Sequence, residues 1–163
     1  MIDDVVNVVG LGYIGLPTAL SMAVNGNRVI GTDYNKMVID NLNAGNCDFA
    51  EDGIKELYLK AISNGILFTT EYAVADIYII AVPTPYDKRN KKVDPSYVVD
   101  AVKSVLNMCN DGSIIVIEST ISPGTIDKHI RPLIGDRNIS LAHAPERIIP
   151  GKIIKEYTSC KTY

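Results

Sequence analysis

Apolar residues arrive in short unbroken runs along this chain. Val5-Val6-Asn7-Val8-Val9 is the first and Arg28-Val29-Ile30-Gly31-Thr32 the second. Runs of this length, β-branched and continuous rather than alternating, predict strands covered on both faces. The signal recurs over Ile77–Val82, Ser113–Ile117 and Ile139–Ala142, with a weaker short run over Leu67–Thr69. Between the runs, spacing of three and four predicts helices over Tyr13–Val24, Lys36–Asn43, Ile54–Ser63, Pro95–Cys109 and Thr125–Ile134. Several ends carry physical markers. Asn64-Gly65 tolerates the left-handed turn that closes a helix, and Gly135 supplies another stop. Asp94 before Pro95, and Ser122 before Pro123, are a capping residue followed by a preset first helical position. Strand and helix alternate throughout, which predicts an α/β fold with a parallel sheet and helices on both faces. No solenoid repeat, low-complexity tract or interdomain linker interrupts the pattern.

The turn between the first strand and first helix is Gly10-Leu11-Gly12-Tyr13-Ile14-Gly15, and the second strand ends on Asp33. Strand, glycine turn, helix, strand and acid, in that order, suit a dinucleotide. The first glycine permits the tight turn, the second lets backbone approach a pyrophosphate, and the third lets helix and strand pack closely. The pyrophosphate would rest on unpaired N–H groups at the helix start, where the helix dipole favours negative charge. This makes the fold a Rossmann-type doubly wound sheet. Asp33 favours NAD over NADP, because a carboxylate accepts hydrogen bonds from a ribose 2′-OH and repels a 2′-phosphate. Lys36 has two readings, a cation that blunts this repulsion or a solvated lysine in the next helix.

Composition narrows the classes. The chain has 163 residues, 47% of them hydrophobic, and a formal net charge of −3. That length suits one domain with a real core. The charge gives no positive field for nucleic acid or an anionic membrane, and no apolar stretch approaches a membrane span. Met1-Ile2-Asp3-Asp4 leads straight into a strand, unlike a signal peptide. Cys47, Cys109 and Cys160 are scattered and odd in number, which suits a reducing cytoplasm. His129 and His143 stand too far apart in sequence to suggest zinc, so no metal is expected. Asp87-Lys88-Arg89-Asn90-Lys91-Lys92 reads as a solvated loop, with a cationic lip beside a diphosphate as the sharper alternative.

In an open parallel sheet, ligands lie beyond the carboxyl ends of the strands. Three motifs stand at such ends: Pro83-Thr84-Pro85, Glu118-Ser119-Thr120 with Pro123-Gly124-Thr125, and Ala144-Pro145-Glu146-Arg147. The prolines force the chain out of the sheet and hold Thr84 where its hydroxyl can reach a nicotinamide; otherwise Thr84 is a solvated strand terminator. Thr120 either holds a water or substrate hydroxyl or bonds its own backbone. Glu146 is either a general acid or base, if partly buried, or an ion-pair partner of Arg147.

Taken together these motifs resemble the UDP-glucose/GDP-mannose dehydrogenase family, over about Val5 to Lys155. The matching residues are Gly10 to Pro17, Asp33, the three motifs above and Pro150-Gly151; Glu51-Asp52-Gly53-Ile54 is similar to that family's Glu-Pro-Gly-Leu helix start. The resemblance implies oxidation of a nucleotide sugar's C6 alcohol to a carboxylate with two NAD⁺, through a cysteine-bound thiohemiacetal and thioester. It implies cofactor contacts from Gly10, Gly12, Tyr13, Ile14, Gly15, Asp33, Pro83, Thr84 and Thr120. It also implies catalytic roles for Thr120 and Glu146 around the catalytic water, and sugar contacts from Glu146 and Arg147. Pro-Glu-Arg-x-x-Pro-Gly resembles the branch acting on UDP-N-acetylhexosamines, notably UDP-N-acetylmannosamine, whereas the UDP-glucose branch has Pro-Glu-Phe.

Residues 1–156 are therefore expected to form the NAD-binding domain, with 157–163 an atypical tail. The family's helical middle domain and nucleotide-sugar domain, with its glycine-flanked cysteine, lysine and asparagine, have no counterpart in this sequence. Cys160 lacks the glycine-rich setting. The expectation is a shortened chain that binds NAD without turnover and exposes apolar surface that favours self-association, its full-length form a homo-oligomer. Two rivals remain at this stage: a free-standing NAD-binding or interaction module, and an NAD-dependent dehydrogenase of the hydroxyacid type.

Overall fold

A computed structural model describes residues 4–47, 49, 51–89 and 91–146. In chain order its elements are β1 (Val5–Val9), α1 (Gly15–Val24), β2 (Arg28–Thr32), α2 (Lys36–Asn43), α3 (Ile54–Ser63), β3 (Leu67–Thr69), β4 (Ile77–Ile80), the short pair β5 (Tyr86–Asp87) and β6 (Lys92–Val93), and α4 (Ser96–Leu106). There follow β7 (Ile114–Ile117), a π-helical turn (Ile126–Ile130) that runs into α5 (Arg131–Ile134), and β8 (Ser140–His143). Six strands form one sheet in the order β3-β2-β1-β4-β7-β8, with every neighbouring pair parallel. The chain winds outward from β1 to one edge, returns to β4 and winds to the other. Strand order thus reverses between β1 and β4, the crevice in which doubly wound folds bind ligands.

Side chains alternate across β1, and the two faces feed two cores. Val6 and Val8 pack with Leu16, Leu20, Ile39, Leu42, Ile54 and Tyr58 on the side of α1, α2 and α3. Val9 packs with Tyr78, Ile80, Val98, Val102, Val105, Ile115 and Ile130 on the side of α4. Each such side chain contributes about 1.5–3 kcal/mol on burial, so the sheet is held from both faces. Asn7, the polar break in the first run, is fully buried. Its amide donates to the Thr32 hydroxyl (2.8 Å) and to Ile30 O (3.0 Å), tying β1 to β2 by a side-chain bond.

The expected strands and helices form, with ends displaced by up to three residues. Two details differ. The charged stretch is not a plain loop, since Tyr86–Asp87 and Lys92–Val93 pair as an antiparallel hairpin. The helix over Thr125–Ile134 opens with a π turn. Pro132 explains this in physical terms: it lacks an N–H for the preceding turn and its ring crowds that turn's carbonyl, which a wider turn relieves. Gly53 (φ 85°) precedes α3, so Glu51-Asp52-Gly53-Ile54 is a helix start as expected. Residues 147–163 lie outside the described residues, among them Arg147, Pro150-Gly151, Cys160 and the expected tail.

Candidate dinucleotide site

β1 ends at Val9, and Gly10 turns the chain with φ 92°, its N–H donating to Thr32 O at 2.8 Å. A Cβ on Gly10 would stand 2.7 Å from Ala81 O, and one on Gly15 would collide with Gly10 O. These two glycines are required by the meeting of β1, β4 and α1. Gly12 is different, for a Cβ there meets nothing within 4 Å. Its open side is the space a pyrophosphate needs. Ile14 begins α1 with no side-chain capping bond, which leaves the helix start to an external anion.

Beside this turn lies a cavity of about 560 Å³. Gly10, Leu11, Gly12 and Asp33 form its polar end, and Tyr72, Val82, Pro83, Tyr97 and Ala101 its apolar walls. Asp33 is half-buried at the end of β2. One carboxylate oxygen accepts from Leu11 N–H and the other from Asn35 N–H, each at 2.8 Å. The carboxylate is thereby fixed at the cavity rim. Lys36 reaches Asp40 at 2.7 Å and is largely exposed, so it behaves as the solvated helix lysine rather than as a screen for Asp33. Lys88, Arg89, Lys91 and Lys92 do not line the cavity. Burial raises the Tyr72 hydroxyl above its ordinary range, Asp33 and Asp100 adding to the rise against a Ser104 hydrogen bond. Tyr72 therefore presents a neutral phenol.

Past the reversal point, the Ser119 hydroxyl lies 2.8 Å from Val82 O and 3.2 Å from Ile80 O. It ties the end of β7 to the end of β4, so the Thr84 and Thr120 loops emerge side by side. Thr84 and Glu146 are half-buried and Thr120 is exposed. Glu118, the last residue before Ser119, faces α1: the Thr18 hydroxyl lies 3.1 Å from Oε1 and 3.3 Å from Oε2. Burial first, with the Glu146 charge adding, pushes the Glu118 carboxyl up to about 7, against the Thr18 hydrogen bond. Among the described residues no three His, Cys, Asp or Glu side chains cluster as metal ligands do. Nor is any helix long and apolar enough to cross a membrane among them.

Sequence reasoning did not single out Tyr72, Tyr97 or Asp100, which lie on loops and a helix with no local motif. Glu118 was visible only as the neighbour of Ser119 and Thr120, since its burial against α1 depends on a contact 100 residues away.

The model of the UDP-glucose/GDP-mannose dehydrogenase family, NAD binding domain, matches residues 4–162. The chain belongs to this family. It is the family's NAD-binding domain, and its cofactor is NAD. The UDP-N-acetyl-D-mannosamine dehydrogenase of Methanococcus vannielii is 46% identical over 153 residues, and the match covers 91% of this chain and 35% of that protein. The native structure of the UDP-N-acetyl-mannosamine dehydrogenase of Staphylococcus aureus superposes with a TM-score of 0.89 at 41% identity. That match covers 93% of this chain and 39% of the other. A UDP-D-ManNAc dehydrogenase of Pyrococcus horikoshii gives a TM-score of 0.86 at 36% identity, over 93% and 38% of the two chains. The chain thus spans about a third of the length of the curated relatives it matches. For a family member, the open face of Gly12, the uncapped start of α1 and the acid at the cavity rim are the parts a dinucleotide requires.

Proposed function

We propose that the whole protein is an NAD-dependent UDP-sugar 6-dehydrogenase acting on UDP-N-acetylmannosamine, and that this chain supplies its cofactor site. The observation that carries the reading is the pairing of an open Gly12 seat with the Asp33 carboxylate at the mouth of one cavity. Asp33 would take the adenosine ribose hydroxyls, and backbone N–H groups of Gly12 to Gly15 the pyrophosphate. Tyr72, Val82 and Ala101 would flank the base. Bound NAD⁺ supplies hydride acceptance. Thr84 would meet the nicotinamide half from the end of β4. Thr120 and Glu146 would hold the substrate hydroxyl or water, because their loops leave the sheet on that same side, and Glu146 and Arg147 would meet the sugar. Support for the sugar is the Pro145-Glu146-Arg147 sequence and the activity for which the similar proteins are named.

The protein would work in the cytoplasm as a homo-oligomer, with no membrane or nucleic-acid partner. Its scattered cysteines and net charge of −3 agree with that setting. The 163-residue chain is expected to bind NAD⁺ without oxidising UDP-N-acetylmannosamine, since hydride transfer needs a positioned substrate. Calorimetry tests the reading. NAD⁺ should bind at least tenfold more tightly than NADP⁺, and Asp33→Ala should lose most NAD⁺ affinity and most of that preference. No heat with NAD⁺, or an Asp33→Ala chain that binds as well, would overturn it. Rapid NADH formation from UDP-N-acetylmannosamine by the chain alone would overturn the division of labour.

A further inference from the structure

Asp100 borders the cavity, yet the cofactor contacts assigned so far give it no role. It lies on α4, where Tyr97, Asp100, Ala101 and Ser104 follow the spacing of three and four that puts residues on one helix face. Tyr97, Asp100 and Ala101 line the cavity. Ser104 lies on the same side, since it is a hydrogen-bond partner of the cavity-lining Tyr72. Two acids thus face one cavity from different elements, Asp33 from the end of β2 and Asp100 from the first half of α4.

Their hydrogen-bonding states differ. Each Asp33 oxygen already accepts a backbone N–H, one from Leu11 and one from Asn35. The Asp100 carboxylate meets Lys103, at 3.3 Å through Oδ1, and among the described residues no hydrogen bond reaches its Oδ2. Tyr34 and Tyr97 also border the cavity, but a phenol both donates and accepts, so it does not tell a base amine from a base carbonyl. A carboxylate only accepts. With Asp33 on the ribose and Val82 and Ala101 against the ring, the base runs from β2 toward α4. The purine edge far from the ribose then meets the wall that carries Asp100. On that edge adenine presents its N6 amine, a donor, where a 6-oxopurine presents an acceptor. Resting on the NAD reading above, we propose that Asp100 selects the base of the cofactor: its carboxylate accepts a hydrogen bond from the N6 amine of adenine and repels a carbonyl in the same place. Asp100 is a specificity-determining residue and takes no part in hydride transfer.

Two analogues of NAD⁺ test this by calorimetry on the 163-residue chain. In the first the base is purine, with hydrogen in place of the amine. In the second, deamino-NAD⁺, the base is hypoxanthine, with O6 in place of the amine. The Asp100 side chain is 70% exposed, so the expected preference is moderate: NAD⁺ should bind about five- to tenfold more tightly than either analogue. Asp100→Ala should lose that factor for NAD⁺ and bind NAD⁺ and the purine analogue alike. Asp100→Asn should bring deamino-NAD⁺ to within about twofold of NAD⁺, because an amide can turn its C=O to N6 or its N–H to O6. Both variants should keep the preference for NAD⁺ over NADP⁺, which Asp33 sets, and a general disturbance of the cavity would not spare it. Equal affinity of the parent chain for NAD⁺ and the purine analogue, or a base preference that survives in Asp100→Ala, would overturn the proposal while leaving NAD binding intact. A chain that binds none of the three dinucleotides would overturn the underlying reading as well.

Discussion

An alanine methyl at Gly12 meets open space, whereas at Gly15 it would strike Gly10 O and press on Ala81. Gly12→Ala is therefore expected to fold with stability within about 1 kcal/mol of the parent yet lose NAD⁺ affinity at least tenfold. Gly15→Ala should cost about 2–4 kcal/mol, because backbone rather than a flexible side chain blocks the methyl. Urea unfolding and cofactor titration on the two variants separate the effects. Glu118 gives a second prediction at this scale. Its carboxyl is raised to about 7 in the folded chain, above its unfolded range. The stability it contributes is then complete below about pH 4.5 and lost as pH rises through about 7. Glu118→Gln should accordingly stabilise the chain at pH 8, by on the order of 2 kcal/mol after allowance for partial exposure, and much less at pH 5. Melting curves at the two pH values check it. The glycines and Asp33 were legible in the sequence because their roles are set by neighbours close along the chain. Glu118 was not, because its partner Thr18 and its neighbour Glu146 come from other elements.

Elements bounded by apolar runs were legible almost to the residue, since a strand buried on both faces keeps polar residues to the few that find a partner, as Asn7 does in Thr32 and Ile30 O. β1, β2 and β3 have the expected bounds, and β4 stops at Ile80, where Pro83 and the Ser119 staple take the chain out of the sheet. The hairpin of β5 and β6 was missed because two-residue strands carry no periodicity and the stretch between them is charged. The π turn was missed because ten residues cannot separate neighbouring helical periods by eye, although Pro132 marks the place. A long-range brace was equally invisible. Arg137, just before β8, donates to Leu106 O and Cys109 O, both at 2.7 Å, and to Asp111 at 3.2 Å. It satisfies carbonyls at the end of α4 that the helix itself leaves open. Arg137→Ala should lower the melting temperature by several degrees without changing NAD⁺ affinity, and Arg137→Lys should recover only part, because an ammonium cannot reproduce the planar fork.

At the scale of the molecule, the cavity draws on both cores of the doubly wound sheet. Leu11 belongs to the core beside α1, α2 and α3, while Ala101 belongs to the core beside α4. A ligand seated there touches both halves, and unfolding either half destroys its site. Binding should then raise the stability of the whole chain in one cooperative transition. At a free NAD⁺ concentration one hundred times the dissociation constant, the gain is about 2.7 kcal/mol. For a domain of this length that corresponds to roughly 5–10 °C in melting temperature. NADP⁺ at the same concentration should give much less, because Asp33 is held at the rim by Leu11 and Asn35 and cannot swing away from a 2′-phosphate. UDP-N-acetylmannosamine alone should leave the transition where it is, since the cavity and glycine turn offer it neither base pocket nor phosphate seat beyond those assigned to NAD⁺. Scanning calorimetry with the three ligands decides the matter. A single transition that moves only with NAD⁺ fits one cofactor clasped by both layers, whereas two transitions, with one moving, would mean that the halves unfold separately and that the cavity belongs to one of them.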